Sequence, residues 1–521
     1  MPILNSKISG GIVAALMAAA FCAPAQAITP LYSGGSTLAE RVYRDIFNCY
    51  GSHSGGDTTV GLTGFFARCN AVTPYNANVE ALYVGSGNGK KTFVNHEASH
   101  FTDGPRTPDA VPVPSTSDFG PFYGTGKGAS WVPNSTGTGP FFPAVSFVSS
   151  EEPMSAGDIA IYNSVSGGHW GAPIQVPALV TAIAIPFKQT PTWKENGVAV
   201  GGSSSMVNLT TDTLCGIFTG AITDWSDNAF KPANGGLQLG SGPIKVIYRA
   251  DGSGGTFVLT NSLVHQCAFT THPVPASWQT APGNSSGAGN DLFLTNVSKA
   301  GLLPANFAFV PNGQTMEMVI GSTAGSIGYD SPDFALLVDA AGPKAANLQS
   351  FASIGHAPVF LAPTAQNSAR IVGSVKPPSS LPASCDAAHA TGVAPFILSS
   401  DGVCADNPLN WGLTFPAPIS TKAYPIGGFS FIDTYTCFAS AAVRDAVAGT
   451  TVGHLGLLRW YFGSTADNAS QVLTDLNRNG FTVVPGSWVS AVKRLLTAAP
   501  ATKIGIPGQA KTGCASVSGG A

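Results

Sequence analysis

The chain has 521 residues, of which 25 are lysine or arginine and 28 aspartate or glutamate, giving a formal net charge of −3. Only 10% of the residues are charged, whereas glycine occurs 62 times and proline 39 times. No lysine or arginine run is present, which excludes a protein that holds nucleic acid or another polyanion on a basic surface; any bound anion must be held at a local site. A chain of this length exceeds one compact core, so two lobes or more are expected.

Lys7, the apolar run from Ile12 to Cys22 and Ala25-Gln26-Ala27 together predict a secretory signal over residues 1–27, cleaved after Ala27, and hence a periplasmic or secreted protein. Phe21 before Cys22 fits a lipid-attachment site poorly. No later apolar run is long enough to span a bilayer, so no transmembrane segment is expected in the mature chain. Of nine cysteines, removal of Cys22 leaves an even number, which predicts disulfides in an oxidising compartment. Nearest-neighbour pairing, one of several connectivities that the count allows, gives Cys49–Cys69, Cys215–Cys267, Cys385–Cys404 and Cys437–Cys514.

Ser33 to Phe47 reads as a strand, a turn of small residues and a helix whose apolar face is Leu38, Val42, Tyr43, Ile46 and Phe47. Tyr83 to Lys91 reads as a glycine and serine turn after the apolar Ala81 to Val84. Residues 98–145, rich in Gly, Pro, Ser and Thr, predict a long exposed excursion whose Phe141-Phe142 end packs onto the body. Ile174 to Phe187 is apolar and β-branched, which fits a buried strand passing between lobes. Asp212 to Gly220 is a short helix followed by a turn with a packing Trp225; Gly325 to Phe334 is a return strand and turn. Val443–Val447 and Leu455–Phe462 are helical, and Gly486 to Leu496 is a C-terminal helix with Ser487 as its N-cap. Strands and helices alternate throughout, so the class is α/β.

The most informative stretch is Tyr248-Arg-Ala-Asp-Gly-Ser-Gly-Gly-Thr256-Phe257. A strand over Ile244–Tyr248 ends in an arginine, and a glycine-serine turn over Gly252–Gly255 opens a helix. Free amides and the positive end of the helix dipole favour an anion there, and Arg249 adds a two-pronged charged donor. The plainer reading is a Gly-rich turn with Ser253 as N-cap. A serine-protease loop is excluded by residue order, and a Walker A loop by the missing lysine. The nine histidines show no zinc-ligand spacing, so no metal or cofactor is expected; His96 and His100, four apart, are read as surface loop residues.

In order, Gly-Gly-Ser-Thr-Leu38, Val-Gly-Ser-Gly87, Leu-Cys-Gly-Ile-Phe-Thr-Gly220 with Asp-Trp225, Tyr-Arg-Ala-Asp-Gly-Ser-Gly254, Ile-Gly-Tyr-Asp-Ser-Pro-Asp-Phe334 and Tyr-Pro-Ile-Gly-Gly-Phe429 resemble the DING branch of the PstS-like periplasmic phosphate-binding proteins. The resemblance runs from about residue 30 to the C-terminus, with insertions near 50–80 and 98–145. It implies a two-lobed type II periplasmic binding fold with the ligand in the interlobe cleft. Lobe one would comprise 28–180 and 335–521, and lobe two 181–334. The implied ligand is inorganic phosphate, held by Thr37, the Leu38 amide, Ser86, Arg249, Ser253 and the Gly254 amide, with Asp251 orienting the arginine. The resemblance also implies the pairs Cys215–Cys267 and Cys437–Cys514.

Two positions depart from the family pattern. The cleft aspartate that accepts the phosphate proton is absent, and Glu151 is its nearest match; the plainer reading of Glu151 and Glu152 is an exposed acidic turn. Gly255 stands where the family has threonine, and whether Thr256 compensates is open. The expected function is extracytoplasmic phosphate binding by a monomer, as the solute-binding component of an ABC permease or as a secreted scavenger. The alternatives are a DING-like phosphatase or phosphodiesterase using Ser253 and Glu151 on the same anion site, and a repurposed scaffold or adhesin without phosphate affinity.

Overall fold

A computed structural model describes residues 29–50, 77–96, 145–195, 198–199, 207–337, 344–378, 405, 407–449, 456–462, 476–477, 479–497, 504–509 and 512–521. The expected signal segment, the 98–145 excursion but for its last residue, most of the 50–80 insertion, His100, Cys69, Cys385, Cys404 and the side chain of Cys49 lie outside this description.

The β-branched run 174–187 is the spine of the molecule. Its strand Ile174–Ala182 is buried at all nine positions and belongs to a six-stranded sheet. The order is Thr482–Val483, Ile174–Ala182, Gly427–Thr434, Phe147–Ser150, Thr29–Gly35, Ala77–Tyr83. Thr29–Gly35 runs parallel to both neighbours, and Gly427–Thr434 runs antiparallel to both of its own. Burial on both faces explains why Ile174–Ala182 reads as a near-continuous apolar run. The helix Glu40–Tyr50 covers this sheet with Val42, Tyr43 and Ile46 fully buried and Phe47 nearly so.

After Ala182 the chain crosses to a second, five-stranded sheet ordered Phe307–Val310, Lys245–Arg249, Ser326–Ile327, Pro186–Phe187, Lys344–Ala345. Lys344–Ala345 pairs with Pro186–Phe187, so the chain returns to this sheet beyond residue 334, the expected end of the second lobe. Residues 183–185 run beside three other chain segments at the crossing. Ala184 and Asp330 exchange backbone hydrogen bonds at 2.9 and 3.0 Å, Ile183 N donates to Ile426 O at 2.9 Å, and Ala346 N donates to Ile185 O at 2.9 Å.

Local differences from the sequence reading have physical causes. Ser86–Asn95 is a helix rather than a turn. Its glycines mask the helical pattern but let backbones approach: a Cβ at Gly89 would lie 2.5 Å from Gly35 Cα. His96 ends this helix at φ 50°, half-buried against Trp170, with Nδ1 2.9 Å from Tyr435 Oη, so it is not a surface loop residue. The C-terminal helix begins at Gly486, which moves Ser487 inside the first turn.

Two disulfides are formed among the described residues, Cys215–Cys267 and Cys437–Cys514. The first closes a separation of 52 residues, and its removal as Cys215→Ser/Cys267→Ser should cost about 4 kcal/mol in the chain-entropy model, read as a lowered midpoint of denaturant unfolding. An unchanged midpoint would show that the helices it joins are held by packing alone.

Candidate functional site

Four strand ends point at one place. Parallel strands in α/β sheets deliver their carboxyl ends to a common crevice, and here Thr29–Gly35, Ala77–Tyr83 and Phe147–Ser150 from one sheet face Lys245–Arg249 from the other. The turns that follow carry Ser36 to Leu38, Ser86, Glu151, and Arg249 to Gly255.

Arg249 is 3% exposed. Its Nε donates to Asp251 Oδ1 at 2.9 Å, its Nη2 to Asp251 Oδ2, and its Nη1 to Thr37 Oγ1 at 2.5 Å, the last contact running between the two lobes. Burial weighs against the guanidinium charge, but the paired Asp251 carboxylate more than offsets it, so the net shift is upward. Its backbone N–H donates to Tyr329 Oη at 3.0 Å, and Tyr329 Oη shares a 2.6 Å hydrogen bond with Thr256 Oγ1. The Thr256 hydroxyl is therefore engaged with Tyr329.

Ser253 is the N-cap of the helix Gly254–Gln266, its Oγ accepting from Thr256 N at 3.2 Å. Gly254 and Gly255 head this helix, where amides have no intrahelical acceptor. Leu38 packs beside them: a Cβ at Gly255 would lie 3.6 Å from Leu38 Cδ1.

Glu151 is 1% exposed, so the acidic-turn reading fails for it. Its Oε1 accepts from Ser36 Oγ at 2.5 Å and its Oε2 from Ser86 Oγ at 2.9 Å. The carboxylate reaches Gly254, where a Cβ would stand 2.6 Å from Oε2 and 2.5 Å from Ser86 Oγ. Burial raises its pKa, while hydrogen bonds from Ser36, Ser430 and Ser86 pull the other way. Glu152 points elsewhere, to a 2.6 Å ion pair with the buried Lys90. The seam between lobes is tight near here: Gly87 N donates to Gly252 O at 2.9 Å, and a Cβ at either glycine would collide with Asp291 Oδ2.

The PBP superfamily domain matches residues 66–370, more than half of the chain. The chain belongs to the PBP superfamily. Within it the likeness is to DING and PstS-like phosphate-binding proteins. A Phosphate-binding protein from an unknown prokaryotic organism is 28% identical over 416 residues, 77% of this chain and 93% of that protein. Alkaline phosphatase L of Pseudomonas aeruginosa strain UCBPP-PA14 is 25% identical over 493 residues, 93% of each chain. Among solved structures, a high affinity periplasmic phosphate-binding protein, PfluDING, bound with phosphate superposes with a TM-score of 0.57 at 24% identity, over 92% of this chain and 96% of that one. A phosphate-binding protein from Stenotrophomonas maltophilia gives 0.56 at 22%, over 93% and 96%. The fold of this PBP superfamily member is thus the type II periplasmic binding fold.

The seven residues expected at the site, Thr37, Leu38, Ser86, Glu151, Arg249, Ser253 and Gly254, converge on this crevice together with the supporting Asp251 and Gly255. Sequence reasoning missed Ser36 and Tyr329. Ser36 sits in the same small-residue turn as Thr37, so its type was visible but its direction was not. Tyr329 lies in the Ile-Gly-Tyr-Asp run, and only the pairing of Ser326–Ile327 with Lys245–Arg249 brings it to Arg249.

Proposed function

We propose that this protein binds inorganic phosphate in the interlobe cleft, outside the cytoplasm, as the solute-binding component of phosphate uptake or as a secreted scavenger. The observation that carries the reading is the meeting of a buried Arg249, the glycine-headed helix at Ser253-Gly254 and the Ser86–Glu151 pair at one seam. Charged donor, helix amides and hydroxyls together suit a tetrahedral oxyanion. The lobes would swing on the crossing at Ala184 and Asp330 and close over the ligand, with boundaries near 180 and beyond 334. The names of the relatives support phosphate as ligand; an ABC permease as partner, a monomeric state, and export by the signal over residues 1–27 belong to the same proposal. No helix among the described residues is long and apolar enough to cross a membrane.

Glu151 takes the role of proton acceptor in this reading. A carboxylate accepts from a protonated phosphate oxygen and repels sulfate, which carries no proton at neutral pH. Glu151→Gln is expected to bring the phosphate-to-sulfate affinity ratio down at least tenfold, about 1.4 kcal/mol, in competition titrations. Selectivity equal to wild type would place the acceptor elsewhere. The reading as a whole is tested by titration calorimetry of the phosphate-stripped protein: binding of phosphate but not sulfate supports it, and no heat with either overturns it.

A second reading, hydrolysis of phosphate esters at the same site, draws on the similarity to Alkaline phosphatase L along most of the chain. Turnover of a chromogenic phosphate ester that disappears in Arg249→Ala would establish it.

A further inference from the structure

Beside the anion crevice, the seam carries a set of charges that the binding of phosphate does not use. The helix Glu40–Tyr50 on the larger lobe presents Glu40 and Arg41, and the helix Gly313–Ser322 on the smaller lobe presents Gln314 and Glu317. Arg41 Nη2 lies 2.6 Å from Glu317 Oε2, and Gln314 Nε2 donates to Glu40 Oε2 at 2.6 Å. Asp333, at the lobe crossing, stands 3.8 Å from Arg41 Nη1, and Asp330 is its neighbour in the hinge. Both aspartates are buried, and Asp330 Oδ2 and Asp333 Oδ1 have no hydrogen-bond partner. Arg249 also faces Asp330, but its guanidinium is held by Asp251. Four carboxylates thus crowd round Arg41.

We propose that Arg41 and Glu317, with Glu40, Gln314, Asp330 and Asp333 around them, form a proton-linked latch, so that the cleft closes with uptake of protons and opens as they leave. The inference rests on the hinged-cleft reading. Electrostatics favours it: the buried Asp330 and Asp333 and the part-buried Glu40 and Glu317 face one arginine and repel one another if all are ionised, and parting the lobes carries Glu317 away from Arg41 and Glu40 into water. In the closed form burial, and then the charge of Asp330, raise Glu317 well above the ordinary carboxylate value despite Arg41; burial likewise raises Asp330 and Asp333. A second seam contact is of the same kind. Glu152 of the larger lobe, part-buried beside Lys90 and Asp158, is raised by desolvation and by Asp291 of the smaller lobe.

The sign follows. A carboxyl whose closed-state pKa lies above its open-state value favours closure fully at pH below the open-state value, near 4.5 for Glu317. That preference is lost as pH rises towards the closed-state value, by up to about tenfold per pH unit for each proton released. Arg41 and Glu317 are positioning residues, acting on the ligand through the lobes.

The test uses the mature chain without added anion, followed by small-angle X-ray scattering from pH 5 to pH 9. Wild type should be compact at pH 5 and expand towards pH 9; Glu317→Gln, which keeps the hydrogen bond to Arg41 without the charge, should expand less than wild type and only at higher pH. Arg41→Gln should expand at a lower pH than wild type. Circular dichroism confirms that each variant is folded. A wild-type size independent of pH, or an unchanged transition in both variants, would overturn the latch. Calorimetry with phosphate separates the two readings: absence of binding with the pH transition intact removes the proposed ligand and leaves the latch.

Discussion

Replacing Arg249 with alanine is expected to lower phosphate affinity by about 3 kcal/mol or more, over a hundredfold in Kd, measured by titration calorimetry. The anion loses the full positive charge nearest to it in a buried crevice, where a charge without a partner is costly. The same change strips Asp251, itself 3% exposed, of both its hydrogen bonds to the guanidinium. An orphaned buried carboxylate destabilises the fold by about 3–5 kcal/mol, so loss of binding alone would not separate site from fold. Arg249→Ala/Asp251→Asn resolves this, because the neutral amide relieves the stranded charge. The double variant should melt closer to wild type than the single one and still fail to bind. Binding within twofold of wild type by either variant would sink the site assignment.

The second large effect comes from two adjacent glycines. At Gly254 a methyl group would stand 2.5 Å from Ser86 Oγ, 2.6 Å from Glu151 Oε2 and 2.8 Å from Glu151 Cβ, all on the other lobe. At Gly255 it would meet nothing closer than 3.5 Å. Gly254→Ala should therefore weaken phosphate binding at least tenfold, about 1.4 kcal/mol, by holding the lobes apart, while each lobe keeps its own packing and the melting temperature changes little. Gly255→Ala should bind within threefold of wild type. Equal behaviour of the two variants would mean that the lobes do not close at this seam.

Much of this site was legible because its parts are local. A strand ending in Arg249, a Gly-Ser turn and an apolar helical repeat specify the 245–266 unit by themselves, and the 29–50 unit follows the same design. What escaped the reading is what only tertiary contact decides. Ser86-Gly-Asn-Gly carries two poor helix formers in its first turn, yet it is helical because Gly87 and Gly89 allow other backbones to pack against them. Glu151 lies in a run of polar residues that favours an exposed turn, and it is buried because hydroxyls from residues 36 and 86 converge on it. The Arg41–Glu317 pair joins positions 276 apart in sequence, and no local pattern encodes such a meeting.

The ordering of strands along the chain also bears on how the molecule is made. The five-stranded sheet draws only on residues from Pro186 to Ala345, a contiguous stretch, whereas the six-stranded sheet needs both Thr29–Gly35 and Thr482–Val483. Domains fold as units while the chain emerges, and pairings distant in sequence form late. The smaller lobe can therefore complete itself first, while one edge of Phe147–Ser150 and both edges of Ile174–Ala182 wait unpaired for Gly427–Thr434 and Thr482–Val483. During that interval the nascent chain is most exposed to aggregation, and a holding chaperone would matter more for its first two hundred residues than for the rest.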